Sequence, residues 1–211
     1  NQFDLAGPDD DNAPASLPQI LNPSAYAPEM KRSQLYTNAL TMARQLLGDD
    51  VNPQGEHAIF KPAHHGAPTP WHQDEAYWEP ALTYRALSVW VPLQEATLEN
   101  GCMQFLPRSH RQPVRPHHSI GHDPRVHGLE ADDLDPRGAV ACPLPAGGAT
   151  FHGSRTFHYA GPNQSAIPRR ALILMFGAPP IRRTDGRRFP WMEAKQTARE
   201  QRARTFQRKP R

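Results

Sequence analysis

Cysteine is scarce in this sequence, with only Cys102 and Cys142 among 211 residues. Two such thiols provide neither a disulfide framework nor a Cys-x-x-Cys zinc pattern, so both are read as ordinary reduced side chains. No apolar run approaches the ~20 residues a membrane helix needs. Nothing resembles the apolar core of a secretory leader either. Together these gaps lead to the expectation of a soluble, cytoplasmic protein with no membrane partner. No internal repeat is present, and the length suits one domain with a sizeable core, or at most two small ones. Proline, by contrast, is abundant: 24 residues, about twice its usual share of ~5%. That disfavours an all-helical fold and suits short strands joined by many turns.

The chain opens with Asn1, and residues 1–28 are rich in Pro, Asp and Asn without hydrophobic periodicity. They read as an irregular lead-in. From 29 to 47 the apolar residues Leu35, Ala39, Met42 and Leu46 recur at helical spacing, with Pro28 before them and Gly48 just after, which predicts one amphipathic helix acting as a buttress. After it the period changes. Residues 86–93 alternate, with Leu87, Val89, Val91 and Leu93 on one face and Ala86, Ser88 and Trp90 on the other. Further short strands are predicted over 57–61, 102–106, 139–144, 149–152 and 171–176. A mainly β fold with one flanking helix, a double-sheet jelly roll, is the expectation. It divides into an N-terminal segment with the helix (1–55), a core (56–180) and a C-terminal tail (181–211).

The segment Trp71-His72-Gln73-Asp74 places an imidazole and a carboxylate two residues apart. In extended backbone both point the same way, as two legs of a 2-His-1-carboxylate facial triad for non-haem Fe(II). A third leg must come from a distant histidine. His117, His118, His122 and His127 crowd a Pro- and Gly-rich stretch without rigid spacing and read as a mobile cover; His110 reads as a turn anchor. His152 and His158 are the better candidates, and spacing alone does not choose between them.

Four motifs in order, Trp71-His72-Gln73-Asp74-Glu75, Asn100-Gly101-Cys102-Met103, Pro107-Arg108-Ser109-His110 and His158-Tyr159-Ala160-Gly161-Pro162-Asn163, followed by Arg169-Arg170-Ala171, resemble the phytanoyl-CoA dioxygenase family over roughly residues 56–178. The resemblance implies a double-stranded β-helix (cupin-like jelly roll) and a dioxygenase that couples hydroxylation of a small organic substrate to decarboxylation of 2-oxoglutarate, using Fe(II) and O2, with ascorbate as a stimulant. It implies His72, Asp74 and His158 as metal ligands, with His152 a neighbour that is not a ligand. It also implies that Arg169 binds the far carboxylate of 2-oxoglutarate, and a guanidinium fork suits that task; Arg170, on the opposite face of a strand, is the lesser candidate. Trp90 matches a tryptophan beside the cosubstrate, and His57 lies near another contact position. Ala160 departs from the family, which often has a serine there. Asp74 itself favours hydroxylation, since halogenating relatives lack that carboxylate.

The alternatives are a non-catalytic jelly-roll protein that binds a metal or small molecule, and a zinc hydrolase, which would not need the arginine. Trp78, Tyr77 and Tyr84 are pocket candidates, and residues 111–137 are expected to select the substrate. Residues 181–211 carry eleven Lys or Arg against three Asp or Glu. They are read as a solvated, partly helical tail rather than a nucleic-acid site, since no aromatic-interleaved motif accompanies the charge. Substrate identity and oligomeric state are not legible.

Overall fold

Alternation of side chains along two long strands sets the frame. The computed structural model describes residues 2–8 and 14–198. In chain order its strands are β1 (Gln2–Asp4), β2 (Pro18–Leu21), β3 (Asn52–Lys61), β4 (Thr69–His72), β5 (Leu82–Thr83), β6 (Ala86–Pro92), β7 (Met103–Phe105), β8 (His117–Ser119), β9 (Leu129–Ala131), β10 (Val140–Cys142), β11 (Thr150–Gly153), β12 (His158–Ala160), β13 (Arg169–Gly177) and β14 (Ile181–Arg182). Helix α1 is Gln34–Leu47 and the short α2 is Pro190–Glu193. A six-stranded antiparallel sheet has the order β1-β2-β3-β13-β6-β11, and a four-stranded one the order β10-β7-β12-β4. Leu87, Val89 and Val91 of β6, with Leu172, Leu174 and Phe176 of β13, pack against α1. The opposite face, with Trp90, Ala171 and Ile173, meets Met103 and Ala160 of the smaller sheet. Two facing antiparallel sheets with one external helix make the expected jelly roll. None of the described helices is long and apolar enough to cross a membrane.

Several expectations need correction. Met42 and Leu46, expected on the buried side of α1, are 42% and 56% exposed, while Tyr36, Ala39 and Ala43 are buried. The alanines let the helix approach the sheet closely, and the Tyr36 hydroxyl donates to the Glu56 carboxylate of β3, fixing the helix's rotation. Leu93, read on the face of Leu87, Val89 and Val91, follows the last residue of β6 and is exposed. The N-terminal stretch is not irregular throughout: β1 and β2 extend the larger sheet. Asp4 accepts hydrogen bonds from the backbone N–H of Ser16 and Leu17 (3.0 and 2.9 Å), and Phe3, Leu5 and Leu17 form a small core of their own.

Residues 111–137 do not form a loose cover. They hold the β8–β9 hairpin, with His117, Ser119, Leu129 and Ala131 buried. Nor is 181–198 a solvated tail. The Arg187 guanidinium pairs with buried Glu75 at 2.9 Å, the Trp191 indole N–H donates to the Ala76 carbonyl at 2.9 Å, and Phe189 and Lys195 are buried. The rest of the basic stretch, 199–211, lies outside the described residues.

Candidate active site

β4 ends at His72, but Gln73 keeps extended backbone (φ −119°, ψ 131°) before a 3-10 turn begins at Asp74. His72 and Asp74 therefore project to one side and Gln73 to the other. Gln73 is fully buried, donates to the carbonyls of Arg155 (2.8 Å) and Pro113 (3.3 Å), and accepts from the Arg115 N–H (2.9 Å). It ties the hairpin region to the back of the site. The sequence reading assigned it no role.

The distant histidine arrives by strand pairing. His158, the first residue of β12, is the direct antiparallel partner of His72. The Nε2 atoms of His72 and His158 lie 3.7 and 3.4 Å from Asp74 Oδ1, and one ligand atom from each of the three falls within 4.8 Å of the others. Each imidazole has its Nδ1 at 2.8 Å from a carbonyl two residues back, Pro70 for His72 and Thr156 for His158. An N–H donated there leaves the Nε2 lone pair facing the centre, the tautomer a metal requires. Ser88 Oγ donates to Asp74 Oδ2 at 2.6 Å, which leaves Oδ1 toward the two imidazoles.

His152 is on β11, in the other sheet, as cross-strand partner of Ser88. Its Nε2 approaches Asp74 Oδ2 to 3.5 Å, and it stands outside the three-residue cluster. Burial pushes the His72 imidazole down, and the neighbouring His158 adds to that. For Asp74, burial alone would raise the carboxyl, but the positive potential of His158 and hydrogen bonds from the surrounding imidazoles outweigh it and hold it well below the usual carboxylate range. A lowered His72 imidazole and an ionised Asp74 are the protonation states that metal ligation asks of those two groups.

Arg169 begins β13 on the inward face and is 1% exposed. Its Nε and Nη1 are buried without a hydrogen-bond partner among the described residues, and its guanidinium carbon lies 5.4 Å from the Trp90 ring centroid. Burial lowers its pKa to about 9. Opposite it on β3, Lys61 is fully buried, its ammonium held by the carbonyls of Ala67, Ala160 and Gly161 at 2.6, 3.1 and 2.6 Å. A cavity of about 520 Å³ opens onto the cluster, lined also by His57, Trp90, His152 and Arg169. Burial lowers His57 to about 4.

The remaining expectations separate clearly. Arg170 points outward over the Phe60 ring. His110 makes no side-chain hydrogen bond among the described residues: the Ser109 hydroxyl holds that turn, donating to the Leu106 carbonyl and accepting from the Phe157 N–H. Of the four clustered histidines His127 alone lines the cavity; His118 pairs with Asp132 and stacks on His122. Tyr77 and Trp78 line the cavity, whereas Tyr84 does not. Ser88 escaped notice, although its place on the inward side of an alternating strand marked it as a polar residue facing the interior.

Two imidazoles and one carboxylate with room for further ligands fit a divalent iron. The unpartnered, buried guanidinium in the same cavity fits the distal carboxylate of a dianionic chelator. Comparisons agree with that fit. The chain is 31% identical over 166 residues to a probable alpha-ketoglutarate-dependent hypophosphite dioxygenase of Stutzerimonas stutzeri, covering 77% of this chain and 57% of that protein. To L-proline trans-4-hydroxylase of Streptomyces griseoviridis it is 31% identical over 154 residues, 64% of this chain and 58% of the relative. The crystal structure of EvdO2 from Micromonospora carbonacea var. aurantiaca complexed with 2-oxoglutarate is similar with a TM-score of 0.80 and 48% identity, covering 85% of this chain and 74% of that one. The chain spans about half the length of the curated relatives it matches. The profile of the family Phytanoyl-CoA dioxygenase (PhyH) matches residues 19–171, and with the residues of the site it leads to one conclusion: the chain belongs to the phytanoyl-CoA dioxygenase family.

Proposed function

We propose that this protein is an Fe(II)- and 2-oxoglutarate-dependent dioxygenase that hydroxylates a small organic molecule, with succinate and CO2 as co-products. Iron, 2-oxoglutarate and O2 supply the oxidising chemistry when bound. His72, Asp74 and His158 are the proposed metal ligands, with Ser88 steering Asp74. Arg169 receives the far carboxylate of 2-oxoglutarate, and Trp90 walls that pocket and covers the guanidinium. The observation that carries this reading is Arg169 itself. A buried cation without a hydrogen-bond partner is costly unless an anion joins it, and the cavity it lines contains the His-Asp-His cluster.

The test uses metal and cosubstrate as separate readouts. Calorimetric titration with Mn(II) should show loss of the site in His72→Ala, Asp74→Ala and His158→Ala and its retention in His152→Ala. Arg169→Ala should keep the metal but bind 2-oxoglutarate about 10- to 150-fold more weakly, as expected for losing a hydrogen bond to a charged group; Arg170→Ala should lose far less. Under air, with Fe(II) and ascorbate, the wild type should form succinate slowly even without its substrate. Metal loss in His152→Ala with retention in His158→Ala would overturn the ligand assignment.

A further inference from the structure

The cavity continues beyond the proposed metal and cosubstrate positions, and the wall of that extension comes from the N-terminal strands. Inward-facing residues form rows across the larger sheet. Phe3, Gln19, Ile59 and Ala171 are successive cross-strand partners on β1, β2, β3 and β13, and Leu21, His57, Ile173 and Trp90 form the next row. Trp90 lies toward the metal end of its row, whereas Phe3, Gln19 and Leu21 lie at the opposite edge of the sheet. Trp78 and Met192 also line the cavity, and Met175, the cross-strand partner of Ser88, stands at its metal end. Among the polar side chains of this mostly apolar wall, which include His57 and, with its ring centroid 4.2 Å from that of Phe3, His127, the carboxamide is that of Gln19. It is 6% exposed and lines the cavity, its side chain makes no hydrogen bond among the described residues, and its Oε1 is fully buried. A carboxamide so placed carries an uncompensated desolvation cost. Among the described residues no carboxylate besides Asp74 lines the cavity, and the cationic side chains there are Arg169 and Lys195, whose ammonium donates to the His127 carbonyl and lies 5.3 Å from the Tyr77 ring centroid.

We infer that this outer compartment takes the substrate, and that the substrate is an uncharged, predominantly apolar molecule whose hydroxyl group hydrogen-bonds to Gln19. The inference rests on the oxygenase reading and deepens it. A volume of about 520 Å³ falls in the range of sites for drug-sized ligands, more than an inorganic oxyanion or a single amino acid would fill beside 2-oxoglutarate. Apolar walls supply affinity through area, and one unpartnered polar group supplies orientation. Removing the partner of such a group costs more than the bond alone contributes, so Gln19 selects against molecules that lack the donor.

The test measures binding of four probes to the protein loaded with Mn(II) and 2-oxoglutarate, by quenching of tryptophan fluorescence, since Trp78 and Trp90 both line the cavity. 1-Decanol should bind more tightly than 1-methoxynonane, which keeps the length but lacks the O–H, and more tightly than decanoate or L-proline. Gln19→Leu should weaken 1-decanol by about 2- to 12-fold, the range for a neutral hydrogen bond, and should erase its advantage over the ether. Leu21→Trp, which fills the compartment, should weaken both. Calorimetric titration of Mn(II) and 2-oxoglutarate on every protein shows whether the inner site is folded. Preference for decanoate or L-proline, or an unchanged alcohol-to-ether ratio in Gln19→Leu, overturns the inference. Failure of the wild type to bind 2-oxoglutarate instead overturns the oxygenase reading, whatever the probes do.

Discussion

At the residue scale the centre depends on groups that never meet a ligand. Asp74 has two oxygens, and the Ser88 hydroxyl holds Oδ2 at 2.6 Å, so Oδ1 is the one presented to the imidazoles. Partners of metal ligands typically contribute 10- to 100-fold in metal affinity. Ser88→Ala should therefore weaken Mn(II) by about 10- to 100-fold in a calorimetric titration; an unchanged constant would mean that backbone geometry alone orients the carboxylate. The legibility of these residues follows their spacing. His72 and Asp74 could be paired from the sequence because extended backbone repeats every two residues. His158 could not be separated from His152 that way, because the choice depends on which sheet each joins: His158 pairs with His72 in the smaller sheet, His152 with Ser88 in the larger.

At the scale of elements, long alternating strands were legible and their partners were not. β6 and β13 alternate over several residues, whereas β1 and β2, three and four residues long, carry no periodicity and owe their place to the sheet edge beside them. The face of α1 was half legible: Leu35 and Ala39 pack toward the core, but Met42 and Leu46 were placed there ahead of the smaller Ala43, although close approach favours small side chains. Overpacking a full site costs about 1–3 kcal/mol. Ala43→Leu should destabilise by that amount in urea unfolding, while Met42→Gln and Leu46→Gln should stay within about 0.5 kcal/mol; the reverse order would restore the original face. The β8–β9 hairpin adds a pH dependence. His117 accepts the Gln73 N–H at Nε2, and burial lowers it to about 4, below its ordinary ~6.5. Below pH 6.5 the unfolded chain takes up a proton that the folded chain refuses, so stability falls as pH drops from about 6.5 to about 4. His117→Gln should flatten that part of the stability profile, as followed by urea unfolding at successive pH values.

At the scale of the whole molecule, residues distant in sequence close over the front of the fold. Arg187 reaches Glu75, which is 3% exposed, one residue past Asp74. Stranding one charge of a buried pair costs about 3–5 kcal/mol, but Glu75 keeps Arg155 Nε at 3.7 Å and the Ser154 hydroxyl at 3.2 Å. Arg187→Ala should therefore cost less than that but more than about 1 kcal/mol in urea unfolding, and a smaller effect would place the pair among surface contacts. This closure was illegible because a high count of arginines reads as solvated chain until a buried carboxylate is known to face one of them. The pairing of His72 with His158 has a further consequence. Side chains in a strand alternate faces, so a slip of β12 by one residue would turn His158 away from its partner while leaving most of the backbone ladder intact. A chain zipped in that wrong register would keep its β content and most of its compactness, yet be blind to metal. In a refolded preparation, the stoichiometry of tightly bound iron would then count correctly threaded molecules, a gauge that circular dichroism cannot provide.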